Sequence, residues 1–543
     1  MSRKPKIVLY QSQQVNQELG QFTSFDMLPL EMLHIAAIPD AEGCEVVIID
    51  ASLYSHEEGH RRAVEACEGA AFFGTTAILG YMVADGHHAA QKVRAAYPDI
   101  TIVAGGWFPS CLPEAYLETG VYDAVCLGQG EITMRDMVHA IESGAPLDEV
   151  NGLALWRDGQ VVRTDARTVV GWNDLLRAPW HLIDIEPYRE RQLRPGARHA
   201  RNRMPSPPSV GGNGNYFGIS YFASYGCPEP CSFCCSPLVT NRRWKAMPAD
   251  AMLDDLADLK ERWNFDVVRF QDANWGVAEK RVADFANGML ERGLKFEWST
   301  TMEVNNILRY KKETLDACAE SGLYVACVGA ETAEQEMMDR IGKPIGQDSD
   351  DTLRAARELH DRGIITSLTY IIGYPDETEA SMLATLDQAR RILAECPSVS
   401  AHVYPFRPIP GSDEYERALR DHGYQPPTTL DEWGAQLEYH VMETWDGNIP
   451  ESVNRVWRLY YQYASFMHGL VRPKRGLMER MAQWRIRSGN YRAPYELKAF
   501  YLVDKLFGRK AHREDEKQTW IMHAENERVT MVDGAAAQSA SVR

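Results

Sequence analysis

The sequence predicts an α/β protein: a doubly wound parallel sheet at the N-terminus, then a partial (β/α)6 barrel, then a helical C-terminal domain. Three observations carry that reading. Short β-branched runs alternate with helical stretches from residue 6 to about 412. The runs are continuously apolar, as strands covered on both faces are. The chain has 543 residues, too many for one core, so two or three domains are expected. Apolar residues make up 45% and charged residues 25%, the balance of an ordinary folded chain.

The first domain spans 1–150. "KIVLY" (6–10) is followed by the helical "LPLEMLHIAAI", "EVVIID" (45–50), a helix, "AAFFGTT" (70–76), a helix from about Tyr81 to Tyr97, "ITIVAGG" (100–106), and "DAVCLGQGE" (123–131) leading into "ITMRDMVHAIESG". Gly74, Gly105, Gly106, Gly128 and Gly130 sit just after strand ends. Ligands of open α/β sheets bind at those carboxyl ends, and glycine lets backbone approach a ligand closely. Five together point to a binding crevice more than to five tight turns. No G-x-G-x-x-G follows the first strand.

Residues 151–215 read as a hairpin and linker. "NGLALWRDGQVVRT" (151–164) has Asp-Gly at its turn. Residues 186–215 are rich in Arg, Pro, Ser and Gly, and their arginines read as solvated charge rather than a phosphate site. The barrel spans 216–412. It begins at "YFGISYFASYGC", and continues with helix 249–263, "DVVRFQDA", helix 278–292, "FEWSTT", helix 311–321, "YVACVGAET", helix 348–362, "ITSLTYIIGYP", helix 377–395 and "SVSAHVYPF". Its chemistry belongs at the strand C-termini. Residues 413–528 are helical. "VNRVWRLYYQYASFMHGLV" and the basic, aromatic "RPKRGLMERMAQWRIRSGNYRAPYELKAFYLVDKLF" read as a packed cap, with a substrate lid or a surface for lipid or an anionic substrate as the sharper alternative. Residues 529–543 read as a disordered tail.

A net charge of −18 argues against nucleic acid as the main partner. The start, "MSRKPKIVLYQSQQ", lacks the apolar core of a signal peptide. No stretch approaches the ~20 apolar residues of a membrane span, so a cytoplasmic protein with at most peripheral membrane contact is expected. In that compartment clustered cysteines are more often metal ligands or redox groups than disulfides.

"SYGCPEPCSFCCSP" (224–237) places Cys227, Cys231 and Cys234 in C-x3-C-x2-C, with Cys235 adjoining. Structural zinc would want four ligands, and Cys318, Cys327 and Cys396 stand isolated. A redox pair of Cys231 and Cys234 leaves Cys227 unexplained. Three thiolates on a cubane iron–sulfur cluster leave one iron open to a substrate or cofactor, so incomplete ligation is the useful feature. Cys235 reads as a packed thiol.

This motif, with Phe233 before its last cysteine at the end of a barrel's first strand, resembles that of the radical S-adenosylmethionine (SAM) enzymes. The parallel-sheet domain ahead of it makes the chain similar to the subgroup with an N-terminal, Rossmann-like cobalamin-binding domain. The likeness covers roughly residues 5–412, in "DMLPLEMLHIAAI", "GCEVVIID", "AGGWFPSCLPEAYL", "DAVCLGQGE", "FQDANW", "VGAETAEQEMMDRIGK" and "YIIGYPDETEASM". It implies a [4Fe-4S] cluster on Cys227, Cys231 and Cys234. It implies SAM contacts at Phe233, Asp272, Asn274, Glu303, Glu331, Tyr370 and Gly373, although Glu331 could instead cap a helix beginning near Ala333. Thr75, Thr76, Ile78 and Leu79 would lie under the corrin of cobalamin. Gly105, Gly106, Gly128, Gly130 and Glu131 would line its ring edge or nucleotide tail. His402 and Tyr404 would face the substrate or pack.

The D-x-H-x-x-G of many cobalamin domains is missing from "QSQQVNQ", and "DGHHAA" (85–90) lies inside a helix, so no histidine ligand to cobalt is expected. The resemblance further implies a 5′-deoxyadenosyl radical and methylcobalamin acting in C-methylation of an unactivated carbon of a small molecule or lipid. An external electron donor such as flavodoxin or ferredoxin would serve it. A radical oxidative cyclase or ring-rearranging enzyme is the alternative within catalysis, and a cobalamin or redox sensor the one outside it.

Overall fold

The computed structural model describes residues 4–15, 27–193, 207–210, 215–343, 350–437, 445, 449–467 and 476–507. The tail 529–543, most of the stretch 194–214 and residues 508–528 of the expected cap lie outside the described residues.

The N-terminal part runs β1 (Lys6–Gln11), α1 (Leu30–Ala41), β2 (Glu45–Asp50), α2 (His56–Ala66), β3 (Phe72–Thr76), α3 (Tyr81–Ala96), β4 (Thr101–Gly105), α4 (Trp107–Cys111), α5 (Pro113–Leu117), β5 (Ala124–Cys126), α6 (Glu131–Ser143), β6 (Leu153–Arg157) and β7 (Gln160–Arg163). The sheet order is β2-β1-β3-β4-β5-β6-β7. The first five strands are parallel. The hairpin β6–β7 adds antiparallel to the β5 edge. It belongs to the first sheet, then, and not to a connecting region: an antiparallel hairpin can extend a parallel sheet without another crossover helix. Leu9, Phe72 and Val103 pack with Met32 of α1 and Met134 of α6. Val8, Phe73 and Ile102 pack with Ala63 of α2 and Val83 of α3 on the other face.

After α7 (Glu186–Leu193) the second part runs β8 (Gly218–Tyr221), β9 (Ser224–Gly226), α8 (Ser236–Thr240), β10 (Trp244–Ala246), α9 (Ala249–Trp263), β11 (Val267–Phe270), α10 (Glu279–Arg292), β12 (Glu297–Met302), α11 (Val304–Arg309), α12 (Lys312–Glu320), β13 (Leu323–Glu331), α13 (Gln335–Arg340), α14 (Asp351–His360), β14 (Ile365–Ile372), α15 (Glu379–Glu395) and β15 (Ser400–Pro405). Six strands, ordered β15-β14-β13-β12-β11-β8 and all parallel, form the open barrel wall. Leu368, Tyr370 and Ile372 of β14, like Ala401 and Val403 of β15, join the core that the outer helices complete. The residues between them are less buried, Thr369 and Ile371 on β14 and His402 and Tyr404 on β15. This period of two separates the helix-facing side from the crevice side.

The C-terminal part contributes α16 (Asp413–His422), α17 (Leu430–Gln436), α18 (Glu451–Met467), α19 (Gly476–Ser488) and α20 (Tyr495–Phe507). The expected cap takes shape in α18. Its Trp457 Nε1 donates to Val403 O (3.1 Å), and Tyr460 OH donates to Ala401 O (2.8 Å). Tyr461 OH donates to Val403 O (2.6 Å). At the other sheet edge Gln192 of α7 donates to Gly218 O (2.9 Å) and accepts from Gly218 N (2.8 Å). Both edges of the open barrel are thus covered by side chains, which protects unpaired strand backbone. No helix among the described residues is long and apolar enough to cross a membrane.

Candidate active site

The cysteine loop is shaped by two close approaches that only glycine permits. Gly226 has φ +81°, and a Cβ there would stand 2.1 Å from Arg243 O across the β9–β10 pairing. Gly342 has φ +68°, and its Cβ would stand 3.0 Å from Pro230 O. Ser232 N donates to Ile341 O (2.9 Å). The segment after α13 therefore clamps the loop that carries Cys227, Cys231 and Cys234. Cys231 is buried and the other two half-buried. Burial raises the Cys227 thiol to about 11. It also raises Cys231, against the lowering pull of Lys343. Cys234 is raised by its hydrogen bond with Cys235 and then by burial. Cys235 is raised by its hydrogen bond with Cys111 of α4. A metal takes such thiols as thiolates, releasing their protons, and three in one loop fit a cluster that leaves one iron free. Cys235 has a thiol partner outside the motif, as a packed fourth cysteine should. Phe233 stands edge-on to Tyr374 (6.0 Å between centroids).

Three side chains from separate elements meet beside this loop. Glu303 follows β12, Glu331 ends β13 and Lys343 follows α13. Lys343 Nζ is 2.6 Å from Glu303 Oε2 and 3.7 Å from Glu331 Oε1. Lys343 is 5% exposed and Glu331 7%. Burial pushes the Glu331 carboxyl up to about 7, with Lys343 pulling the other way. Burial lowers Lys343, but the two carboxylates outweigh it and the ammonium is raised. Glu331 also has φ +63°, a conformation that non-glycine residues adopt only when their surroundings impose it. It does not cap a helix: α13 is capped by Glu334, whose carboxylate accepts from Met337 N (2.9 Å). Lys343 was not singled out from sequence, although it closes the "RIGK" segment.

After β11, Asp272 and Asn274 behave differently. Asp272 accepts from Ala223 N (3.2 Å) and Ser224 Oγ, and burial raises it to about 6 despite nearby Arg281. It ties β8 and β9 to β11. Asn274 is 1% exposed, and its side-chain oxygen and nitrogen have no partner. Gln271 Nε2 is likewise unpaired. Such buried groups call for a ligand or ordered water. A cavity of about 70 Å³ adjoins Gln271, lined also by Arg269, Asp272, Ser299, Thr301 and Cys327 among others.

Tyr370 departs from expectation. Its ring lies among the helix-facing residues, fully buried, and its hydroxyl donates to Gln388 Oε1 of α15 (3.0 Å). The strand's parity turns this side chain away from the crevice, so only its backbone stands on the crevice wall. Gly373 (φ +82°) donates its N–H to Glu377 Oε2 (2.6 Å) and accepts from Trp445 Nε1 (3.1 Å). His402 and Tyr404 are half-buried on the crevice side of β15, 6.3 Å apart.

In the first sheet, Thr75, Thr76, Gly105 and Gly106 come together at the ends of β3 and β4. Gly106 has φ +99°, and a Cβ there would meet Ala77 O at 2.5 Å and Thr76 Oγ1 at 2.8 Å. Ser12 Oγ, after β1, donates to Thr76 O (2.9 Å). Ile78 and Leu79 pack against the α2–α3 core. Gly130 caps α6, whose first residue, Glu131, has its carboxyl raised by burial. Gln11 Oε1 and Gln13 Oε1, beside this cradle, are buried and unpaired. Gln11–Val15, the described start of the loop after β1, contains no histidine. A Cβ on Gly128 would meet Val239 O of α8 at 3.2 Å. That contact, with Cys111 against Cys235, seats the carboxyl end of the first sheet on the cysteine loop.

Residues 221–389 match the model of the radical SAM superfamily, and residues 23–138 that of the B12 binding domain. An uncharacterized methyltransferase of Pyrococcus horikoshii is 25% identical over 365 residues, 66% of this chain and 72% of the relative. An anaerobic magnesium-protoporphyrin IX monomethyl ester cyclase of Rubrivivax gelatinosus is 26% identical over 368 residues, 67% of this chain and 62% of the relative. Among solved structures, the cobalamin-dependent SAM radical enzyme OxsB, with aqua-cobalamin and SAM bound, aligns at a TM-score of 0.66 and 16% identity, covering 96% of this chain and 75% of that one.

Proposed function

We infer, for a chain that belongs to the radical SAM enzymes with an N-terminal cobalamin-binding domain, that its reaction is transfer of a methyl group from SAM to an unactivated carbon of a small molecule. The observation that carries this is the seam at Gly128 and Val239 and at Cys111 and Cys235. A methyl carrier and a radical source must reach one carbon, and the contact of the first sheet's carboxyl end with the cysteine loop supports that arrangement. When bound, the cluster supplies an electron to the sulfonium of SAM and cobalamin supplies the methyl carrier.

The chain's own residues divide that work. Cys227, Cys231 and Cys234 hold iron through thiolates. Glu303, Glu331 and Lys343 offer two carboxylates and an ammonium to an amino-acid moiety that carries the complementary pair. Asn274 and Gln271 have unmet hydrogen bonds to give to the same ligand. Thr75, Thr76 and the close-packed Gly106 form a floor for the corrin, and Gly128, Gly130 and Glu131 the side toward its edge. His402 and Tyr404 face the substrate. An electron donor such as flavodoxin or ferredoxin completes the system, in the cytoplasm.

A second reading, radical cyclisation without methyl transfer, is favoured by the cyclase of R. gelatinosus, which is as similar in sequence as the methyltransferase is. Anaerobic turnover with methyl-labelled SAM and a reductant separates the two. Methyl transfer puts label in the product and forms S-adenosylhomocysteine and 5′-deoxyadenosine in matched amounts. An unlabelled, cyclised product with 5′-deoxyadenosine alone would select the second.

A further inference from the structure

On the α2–α3 face of the first sheet lies a group of side chains that neither the cysteine loop nor the expected cofactor contacts use. The segment "HEEGH" opens α2 and places His56 and His60 four residues apart, so both rings emerge on one side of the helix. Their ring centroids are 4.0 Å apart. Asp85 of α3 meets both: His56 Nδ1 is 3.0 Å and His60 Nε2 2.9 Å from the same oxygen, Oδ1. Among the described residues, the three donor atoms lie within 4.8 Å of one another. The second carboxylate oxygen is already held, accepting from Gln13 N (2.7 Å) and Tyr10 OH (3.1 Å). One oxygen thus points at two imidazole nitrogens while the other is fixed from behind, the way outer partners orient a metal-binding carboxylate.

We propose that His56, His60 and Asp85 bind one divalent transition-metal ion of the zinc class. Two imidazoles and a carboxylate suit zinc and its neighbours, whereas calcium and magnesium prefer oxygen donors alone. The fourth position falls to water, since the ring of His88, 5.9 Å from that of His56, is engaged through Nε2 with Asp431 (2.7 Å).

The proton balance is specific. Lys92 Nζ is 2.9 Å from His60 Nδ1. An ammonium can only donate, so His60 carries its proton on Nε2 and gives it to Asp85. Coordination through Nε2 moves that proton to Nδ1, with no change in ring charge, and turns Lys92 away. Lys92 is exposed and can move into water. His56 coordinates through Nδ1, and any proton on that nitrogen leaves to solvent. The ion then replaces two hydrogen bonds to Asp85 and the contact of Tyr81 OH with His56 Nδ1 (3.0 Å) and, through Gln13, fixes the loop after β1. Lys92 opposes the ion, and glutamine in its place would accept the Nδ1 proton.

The test uses the full chain loaded with cluster and cobalamin, dialysed anaerobically against zinc and then freed of loose ions, with zinc, iron and cobalt counted together. One zinc should remain per wild-type chain. His56→Ala and His60→Ala should each weaken it by about tenfold or more, and Lys92→Gln should tighten it. Iron and cobalt contents should hold, and zinc X-ray absorption should show nitrogen and oxygen neighbours with imidazole scattering. His56, with 18% side-chain exposure, and exposed Lys92 provide variants that spare the core if His60→Ala fails to fold. Zinc held equally by His56→Ala, sulfur in its shell, no zinc in the wild type, or weaker binding in Lys92→Gln would each overturn the proposal.

Discussion

Replacing Lys343 with methionine removes the ammonium that Glu303 and Glu331 share. With Lys343 5% exposed and Glu331 7%, the change leaves buried carboxylates without their cation. Breaking a buried pair on one side costs roughly 3–5 kcal/mol. The Glu303 side chain keeps 19% exposure, so the lower end, about 3 kcal/mol, is expected. The pH dependence is the sharper signature. Glu331 is raised from 4.5 to about 7 by burial, even with Lys343 opposing that rise. A carboxyl raised on folding contributes stability that is fully present below its unfolded value and lost as pH climbs through its folded value. A shift of this size corresponds to about 3 kcal/mol between those limits. Without Lys343 the folded value climbs further, so the variant's deficit should be smallest near about pH 6 and largest near about pH 9. Calorimetric melting of both proteins across that range, compared transition by transition, reads it. An equal deficit at both ends, or wild-type melting at the alkaline end, would refute the reasoning.

Cys227→Ala, Cys231→Ala and Cys234→Ala should each bring iron after anaerobic reconstitution to near background. Cys235→Ala should keep most of it, since that thiol bonds to Cys111 and Cys234. Gly106→Ala should destabilise the first domain by about 1–3 kcal/mol and lower cobalamin retention, because its Cβ would meet Ala77 O at 2.5 Å; visible absorption of the desalted protein measures the second effect. Paired Tyr460→Phe and Tyr461→Phe should lower the melting temperature through three lost bonds to β15, each about 1–3 kcal/mol, with iron and cobalamin contents unchanged.

The strand–helix alternation was legible because long apolar runs and helical periodicity act locally. Three-residue β9 and β10 were not, since their pairing depends on the contact that Gly226 allows. Residues 151–164 were readable as a hairpin, but its attachment to the β5 edge was not, because that choice lies between sheets. Tyr370 was misplaced although its signal was in the sequence: Ser367 and Thr369 are polar on one parity, while Leu368, Tyr370 and Ile372 share the other. Lys343 stayed hidden because a lysine closing a short helix ordinarily faces water; only the fold brings it under Glu303 and Glu331. The clustering of cysteines, by contrast, depends on spacing alone and was plain.

The way α18 meets β15 limits how molecules reach the crevice. Trp457, Tyr460 and Tyr461 occupy the carbonyls of Ala401 and Val403, so an outward swing of this helix would exchange these bonds for water, at a net loss of about 0.5–1.5 kcal/mol each, and would uncover the apolar face packed beneath it. Such a cost holds the helix seated in most chains. The β15 edge is therefore the side of the crevice wall least ready to open.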